Sequence, residues 1–421
     1  EEKTNVPVGI INASWGGTPV EAWVSEKGLQ NFPEYVHQKA LYEDTELVSR
    51  ITETERLHQQ AWNKVLYKSD AGLHGVTPWY AEDYDDSDWE KVDMFSDNWA
   101  IRNGRPLNGV HWFRKDFFVP EDWSGKEAVL RLGCIVDADS VFVNGHFVGT
   151  VSYQYPPRIY KVPSKLLKKG KNQLTVRLFS YGGRPSFVKE KPYKILFGKG
   201  QPEKGESEIN LEGSWKYHLG APMPAAPGQT AFHYKPTGLY NAMIAPLLNY
   251  TVSGVIWYQG ESNAHNWEAH EKLFKLLVNS WRKNWNDACL PFYYVQLSSL
   301  NRPSWPWFRE SQRRMLNEIS HIGMAVSSDH GDSLDVHPTC KKPVGERLAR
   351  WALNKTYQKN VIPSGPLFRG ANVRGGKVFL SFDYGKGMRS SDGKPLQCFE
   401  VAEYDGIYYP ATAEVVGDQV K

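Results

Sequence analysis

GVIWYQ at residues 254–259 and LPFYYVQLS at 290–298 are two short apolar runs, and between them Leu273, Leu276, Leu277 and Trp281 recur at helical spacing. Strand, helix, strand, with almost no polar interruption in the strands, is the pattern of a parallel sheet covered by helices on both faces. A third run, IGMAV at 322–326, precedes PVGERLARWALNKTY at 343–357, which reads as a further helix. Toward the start of the chain, Val6 to Ala13 is apolar and β-branched, so a strand is expected there, ending at Ser14-Trp15-Gly16-Gly17. Thr18-Pro19 with Glu21 then opens a helical segment, Thr as its N-cap and Pro in its first position. From Ser25 to about Leu73 the chain is charged and helix-prone, with Leu47, Ile51, Leu57 and Trp62 at roughly helical spacing, as in an amphipathic surface helix.

The texture changes at residue 76. VHWFRKDFFVP, EAVLRLGCIV, DSVFVNGHFVGTV and NQLTVRLFSYGG are alternating short strands, and Asn144-Gly145 between two of them is a strong hairpin signal. An all-β module is therefore expected at 76–200, inserted between two parts of an α/β domain, 1–75 and 201–370, with a β segment at 371–421 that stops abruptly.

With 421 residues, 41% hydrophobic and 23% charged, the chain has the composition of a folded protein of two or three domains. A formal charge of +3 and no basic run longer than KLLKKGKN argue against nucleic acid as a partner and for an uncharged or weakly charged one. The 16 Trp and 22 Tyr suit sugar stacking as well as core filling, with Trp112 and Tyr153 as stacking candidates. The four cysteines have no Cys-x-x-Cys spacing, which signals no zinc ribbon and leaves one long-range disulfide open. No stretch of 18 apolar residues suggests a membrane span, and the opening EEKTNVPVGIINASWGG reads as the middle of a gene product.

Ligands of open α/β sheets sit at the carboxyl ends of the strands. Three polar motifs occupy such ends: Ser14 to Gly17, Gln259 to Asn263, and AVSSDHGDSLDVHP at 325–338. The last has three readings: a solvated loop, a metal site from Asp329, His330, Asp332 and His337, or the acid and base of a relay. Ligands crowded on one short loop rarely close a coordination shell, so no metal or other cofactor is expected. A Gly-Gly turn, a Gly-flanked amide and an Asp/His loop are what a serine esterase places around its nucleophile.

VPVGIINASWGGTPVEAW, LYNAMIAPLLNYTVSGVIWYQGESNA and GDSLDVHP resemble the sialate O-acetylesterase family, a branch of the SGNH (GDSL-like) hydrolases. The order of WFRKDF, DADSVFVNG and VPSKLLKKGKN is similar to the galactose-binding-like jelly roll of sugar-cleaving enzymes. The resemblance implies an α/β fold with an SGNH-hydrolase-like parallel sheet interrupted by that jelly roll. It makes His337 the general base and Asp335 its orienting acid, with Asp332 as competitor because Leu334 stands where many relatives place the acid. Gly16 or Gly17 would lend a backbone N–H to the oxyanion, Gln259 or Asn263 a side-chain amide, and Glu261 would support the strand ends. The family's Gly-Gln-Ser-Asn nucleophile motif is absent, so the serine is expected upstream of Glu1, with Ser14 as the alternative. The expected function is a secreted or periplasmic carbohydrate O-acetylesterase acting on an acetylated sugar or glycan. The alternatives are an acetylxylan-type esterase and a non-catalytic carbohydrate-binding protein.

Overall fold

The computed structural model describes residues 5–189, 191–198, 207–333, 336–338 and 340–421. The chain divides into two compact units, one made of Glu1–Val48 with Ala231–Lys421, the other of Ser49–Thr230.

The first unit contains the parallel sheet. Its strands Val255–Trp257, Phe292–Val295 and Ile322–Ala325 lie side by side in that order, all parallel. Side chains alternate across a sheet, and here each face meets helices. Phe292 and Tyr294 join a core with Leu273, Phe274, Leu277 and Trp281 of the helix Trp267–Asn284 and Met315 of the helix Trp305–Glu318. Tyr293 and Val295 point the other way, into Val344, Leu348 and Trp351 of the helix Lys342–Trp351. That double cover explains why Phe292–Val295 and Ile322–Ala325 are apolar and buried at every position. Two antiparallel elements follow among the described residues: a small sheet begun by Leu367–Arg374 and Lys377–Asp383, and a hairpin of Leu396–Ala402 with Tyr408–Ala413.

Two expectations for the start of the chain are corrected. Val6 to Ala13 form no strand: Ile10 is 86% exposed, and no ladder among the described residues receives this segment. An apolar, β-branched run needs a neighbour for its N–H and C=O groups before it becomes a strand. The single amphipathic helix over 25–73 is instead three, Glu26–Leu29, Pro33–Glu43 and Thr45–Ser69, broken at Pro33 and Asp44.

The second unit encloses one core between two antiparallel sheets. Six strands run in the order Glu90–Asp93, Ser214–Pro222, Gly109–Val119, Gly170–Ser180, Ala138–Val143, His146–Val151, and four in the order Ser207–Asn210, Tyr193–Phe197, Ala128–Leu132, Ile159–Val162. Phe113, Val141 and Val176 of the first meet Leu130, Ile195 and Val162 of the second. The unit is wider than the 76–200 read from the sequence. Ser214–Pro222 pairs with both Glu90–Asp93 and Gly109–Val119, so 207–222 sit in this unit and not in the α/β one. At the other end, Trp62 and Leu66 of the helix Thr45–Ser69 pack with Trp79, Trp89 and Trp112. Trp112 is 0% exposed and donates its indole N–H to Asp70, which removes it as a sugar-stacking surface; Tyr153 is exposed.

Candidate active site

Because the three strands are parallel, their carboxyl ends share one edge of the sheet. After Val255–Trp257 the chain passes through Gln259 and Gly260 into a short 3-10 turn, Glu261–Asn263. Gly260 has φ 151°, and a Cβ on it would come within 2.5 Å of the Phe308 ring, so the turn needs glycine at this point.

This loop holds the Gly-Gly loop by side-chain bonds. The Gln259 Nε2 donates to the Thr18 carbonyl at 3.0 Å and to the Asn263 Oδ1 at 2.7 Å. Asn263 Oδ1 also accepts the Val20 N–H at 2.9 Å, and Asn263 Nδ2 donates to the Glu21 carboxylate at 3.1 Å. Ser262 Oγ donates to the Gly17 carbonyl at 2.6 Å. Both Nε2 hydrogens of Gln259 are thereby committed, whereas Asn263 spends one of its two Nδ2 hydrogens on Glu21.

The helical turn Val20–Trp23 is capped differently from the expectation. Pro19 is its N-cap and bonds through no side chain, and the Val20 N–H goes to Asn263 instead. Thr18 cannot serve because its hydroxyl donates to the Trp15 carbonyl at 2.8 Å and accepts from the Trp23 indole at 2.9 Å.

The third loop leaves Ile322–Ala325. Ser327 Oγ donates to the Gln296 carbonyl at 2.7 Å, and the Asn301 N–H reaches the Ser333 carbonyl at 2.9 Å, so this loop is laced to the one after the neighbouring strand. Asp329 accepts two bonds from the Arg347 guanidinium, each of 2.6 Å, which hold its carboxyl below the usual range and occupy both its oxygens. Asp332 is half-buried. His337 is exposed, flanked by buried Pro338 and by Val336, which packs on Ala264, Leu297, Trp305 and Phe308. That packing sets the histidine beside the Gln259–Asn263 loop. The electrostatics agree: burial pushes the Glu261 carboxyl up, while its own backbone N–H and the charges of His337 and Lys341 pull it down. Asp335 lies outside the described residues.

No three His, Cys, Asp or Glu side chains among the described residues are arranged to hold a metal ion. None of the four cysteines is in a disulfide. Ser14 is exposed and its hydroxyl donates to Asn12 Oδ1. Sequence reading overlooked Glu21 as a site residue, treating it as part of a helix opening; its partner Asn263 is 242 positions away, a separation that no local pattern signals.

Residues 220–354 match the family described as carbohydrate esterase, sialic acid-specific acetylesterase. That segment is thus similar to a carbohydrate esterase domain. That segment contains the Gln259–Asn263 turn and His337, while residues 49–194 match the sugar binding domain of glycosyl hydrolases family 2. The sialate O-acetylesterase of Mus musculus is 32% identical over 206 residues, which are 43% of this chain and 38% of that protein. The sialate O-acetylesterase of Rattus norvegicus is 28% identical over 206 residues, again 43% of this chain and 38% of that protein. The chain thus matches well under half the length of these curated relatives. A carbohydrate acetylesterase from Xanthomonas citri is 24% identical, covering 70% of this chain and 85% of its own, with a TM-score of 0.44.

Proposed function

We propose that the protein is a carbohydrate O-acetylesterase of the serine-hydrolase type, working outside the cytoplasm on acetylated sugars such as a 9-O-acetylated sialic acid. A serine hydroxyl attacks the acetyl carbonyl as His337 takes its proton, with Asp335 or Asp332 orienting the imidazole. The developing oxyanion accepts from the backbone N–H of Gly16 or Gly17 and from the remaining amide hydrogen of Asn263. Gln259, its two hydrogens already bound, braces the Gly-Gly loop. Collapse of the intermediate breaks the ester C–O bond, the departing sugar oxygen takes the proton back from His337, and water, with His337 again as base, then hydrolyses the acetyl-enzyme to acetate and free serine.

The observation that supports this reading is the lacing of the Gly-Gly loop onto the Gln259–Asn263 turn, beside His337, at the carboxyl edge of the sheet. The decisive experiment measures release of acetate from an aryl acetate, 9-O-acetylated sialic acid and acetylated xylan by the wild-type protein. Turnover of the first two supports the reading, and preference for xylan would move the substrate class. Sugar binding without any turnover would replace the esterase by a carbohydrate-binding protein.

A further inference from the structure

We infer that Glu21 is a positioning residue for ester hydrolysis, its carboxylate holding the Asn263 amide in the orientation that presents an N–H to the oxyanion. The inference rests on the esterase reading above and adds a residue to it.

A side-chain amide is nearly symmetrical in shape, so its neighbours decide which end is oxygen and which is nitrogen. Around Asn263 they sort cleanly. Two donors, the Val20 N–H at 2.9 Å and the Gln259 Nε2 at 2.7 Å, face Oδ1, and one acceptor, the Glu21 Oε2 at 3.1 Å, faces Nδ2. An ionised carboxylate only accepts, so it admits one orientation of the amide. A reversed Asn263 would set its nitrogen against two donors and its oxygen against a carboxylate. Glu21 is itself fixed: its carbonyl accepts the Thr237 N–H at 3.1 Å, and its neighbours Val20 and Ala22 are fully buried. With Asn263 only 7% exposed, no solvent stands in for a lost acceptor.

The test compares wild type, Glu21→Gln and Glu21→Leu in the intact enzyme by kcat and KM on an aryl acetate and by hydrogen exchange at the Val20 amide. Glu21→Leu should lower kcat at least ~tenfold, less than the ~10²–10³-fold typical for deleting an oxyanion donor outright, with KM within about twofold. Glu21→Gln, which can accept but can also donate, should lose about threefold by the same reasoning. Exchange at Val20 should accelerate in Glu21→Leu while that at Ala22, bonded to the Pro19 carbonyl, stays unchanged. If Glu21→Leu does not fold, Glu21→Gln carries the test at its smaller amplitude. Retention of kcat by the variants overturns the inference, and so does a loss of kcat with Val20 exchange unaltered. A wild type without turnover sinks the esterase reading instead, and Val20 exchange still decides whether Glu21 holds Asn263.

Discussion

Asp139 and Arg158 meet at 2.6 Å with neither side chain exposed to solvent. Arg158 spends its other N–H groups on the carbonyls of Gln154, Pro156, Ile135 and Asp137, and Tyr160 donates its hydroxyl to the second Asp139 oxygen. The pair therefore ties the 152–158 loop to the sheet strand Ala138–Val143. Removing one partner leaves the other charge buried and unmatched, so Asp139→Asn should destabilise the β-rich unit by ~3–5 kcal/mol. Urea unfolding followed by tryptophan fluorescence reads this directly, and a change below about 1 kcal/mol would show that water reaches the site.

His270 gives a prediction in pH. It is buried beside Phe308, its ring nitrogens find no hydrogen-bond partner among the described residues, and burial pushes its pKa down to about 3. The unfolded chain binds a proton at this residue below pH ~6.5 while the folded one does so only near its lowered pKa, so stability contributed here falls as the pH drops through that window. Between pH 7.5 and 5 the wild type should lose roughly 2 kcal/mol more than His270→Phe. Parallel losses in paired urea melts would mean that His270 is protonated in the fold.

Gly260→Ala tests the turn that carries the amides. The added methyl meets the Phe308 ring at 2.5 Å on a residue with φ 151°, so overpacking and backbone strain act together. A loss of ~2–4 kcal/mol is expected, with kcat falling alongside it. Thermal unfolding with steady-state kinetics checks both, and an unaffected kcat would detach this turn from catalysis.

For the relay, His337→Ala should cost ~10²–10⁴-fold in aryl acetate hydrolysis with unchanged unfolding behaviour. Retained activity would remove the base. Asp335→Asn should cost more than Asp332→Asn, and the reverse order would give the acid role to Asp332.

The nucleophile is tested by labelling. A serine-directed phosphonate followed by peptide mapping should mark no serine between Glu1 and Lys421, and stoichiometric marking at Ser14 would make that residue the nucleophile.

Local pattern was enough for much of this protein. The all-apolar runs at 292–295 and 322–325 could only suit strands covered on both sides, and they are. Asn144-Gly145 demanded a tight hairpin, and both residues take positive φ, 47° and 78°, between Val143 and His146. The strand-end positions of Gln259 to Asn263 and of the Asp/His loop were legible for the same reason: strands and turns are written in consecutive residues. Tertiary structure alone decided which surface covers which. Val6 to Ala13 has a strand's composition but joins no ladder among the described residues, whereas Ser214–Pro222 finds its two partners more than ninety residues upstream and so draws 207–222 into the β-rich unit. The roles at the site depend on the same distant choices. Gln259 reads as a donor until its hydrogens meet Thr18 and Asn263, and Glu21 reads as a helix opener until Asn263 reaches it. Periodicity reports which side of an element is apolar, but a hydrogen bond across 242 residues exists only once the chain has folded.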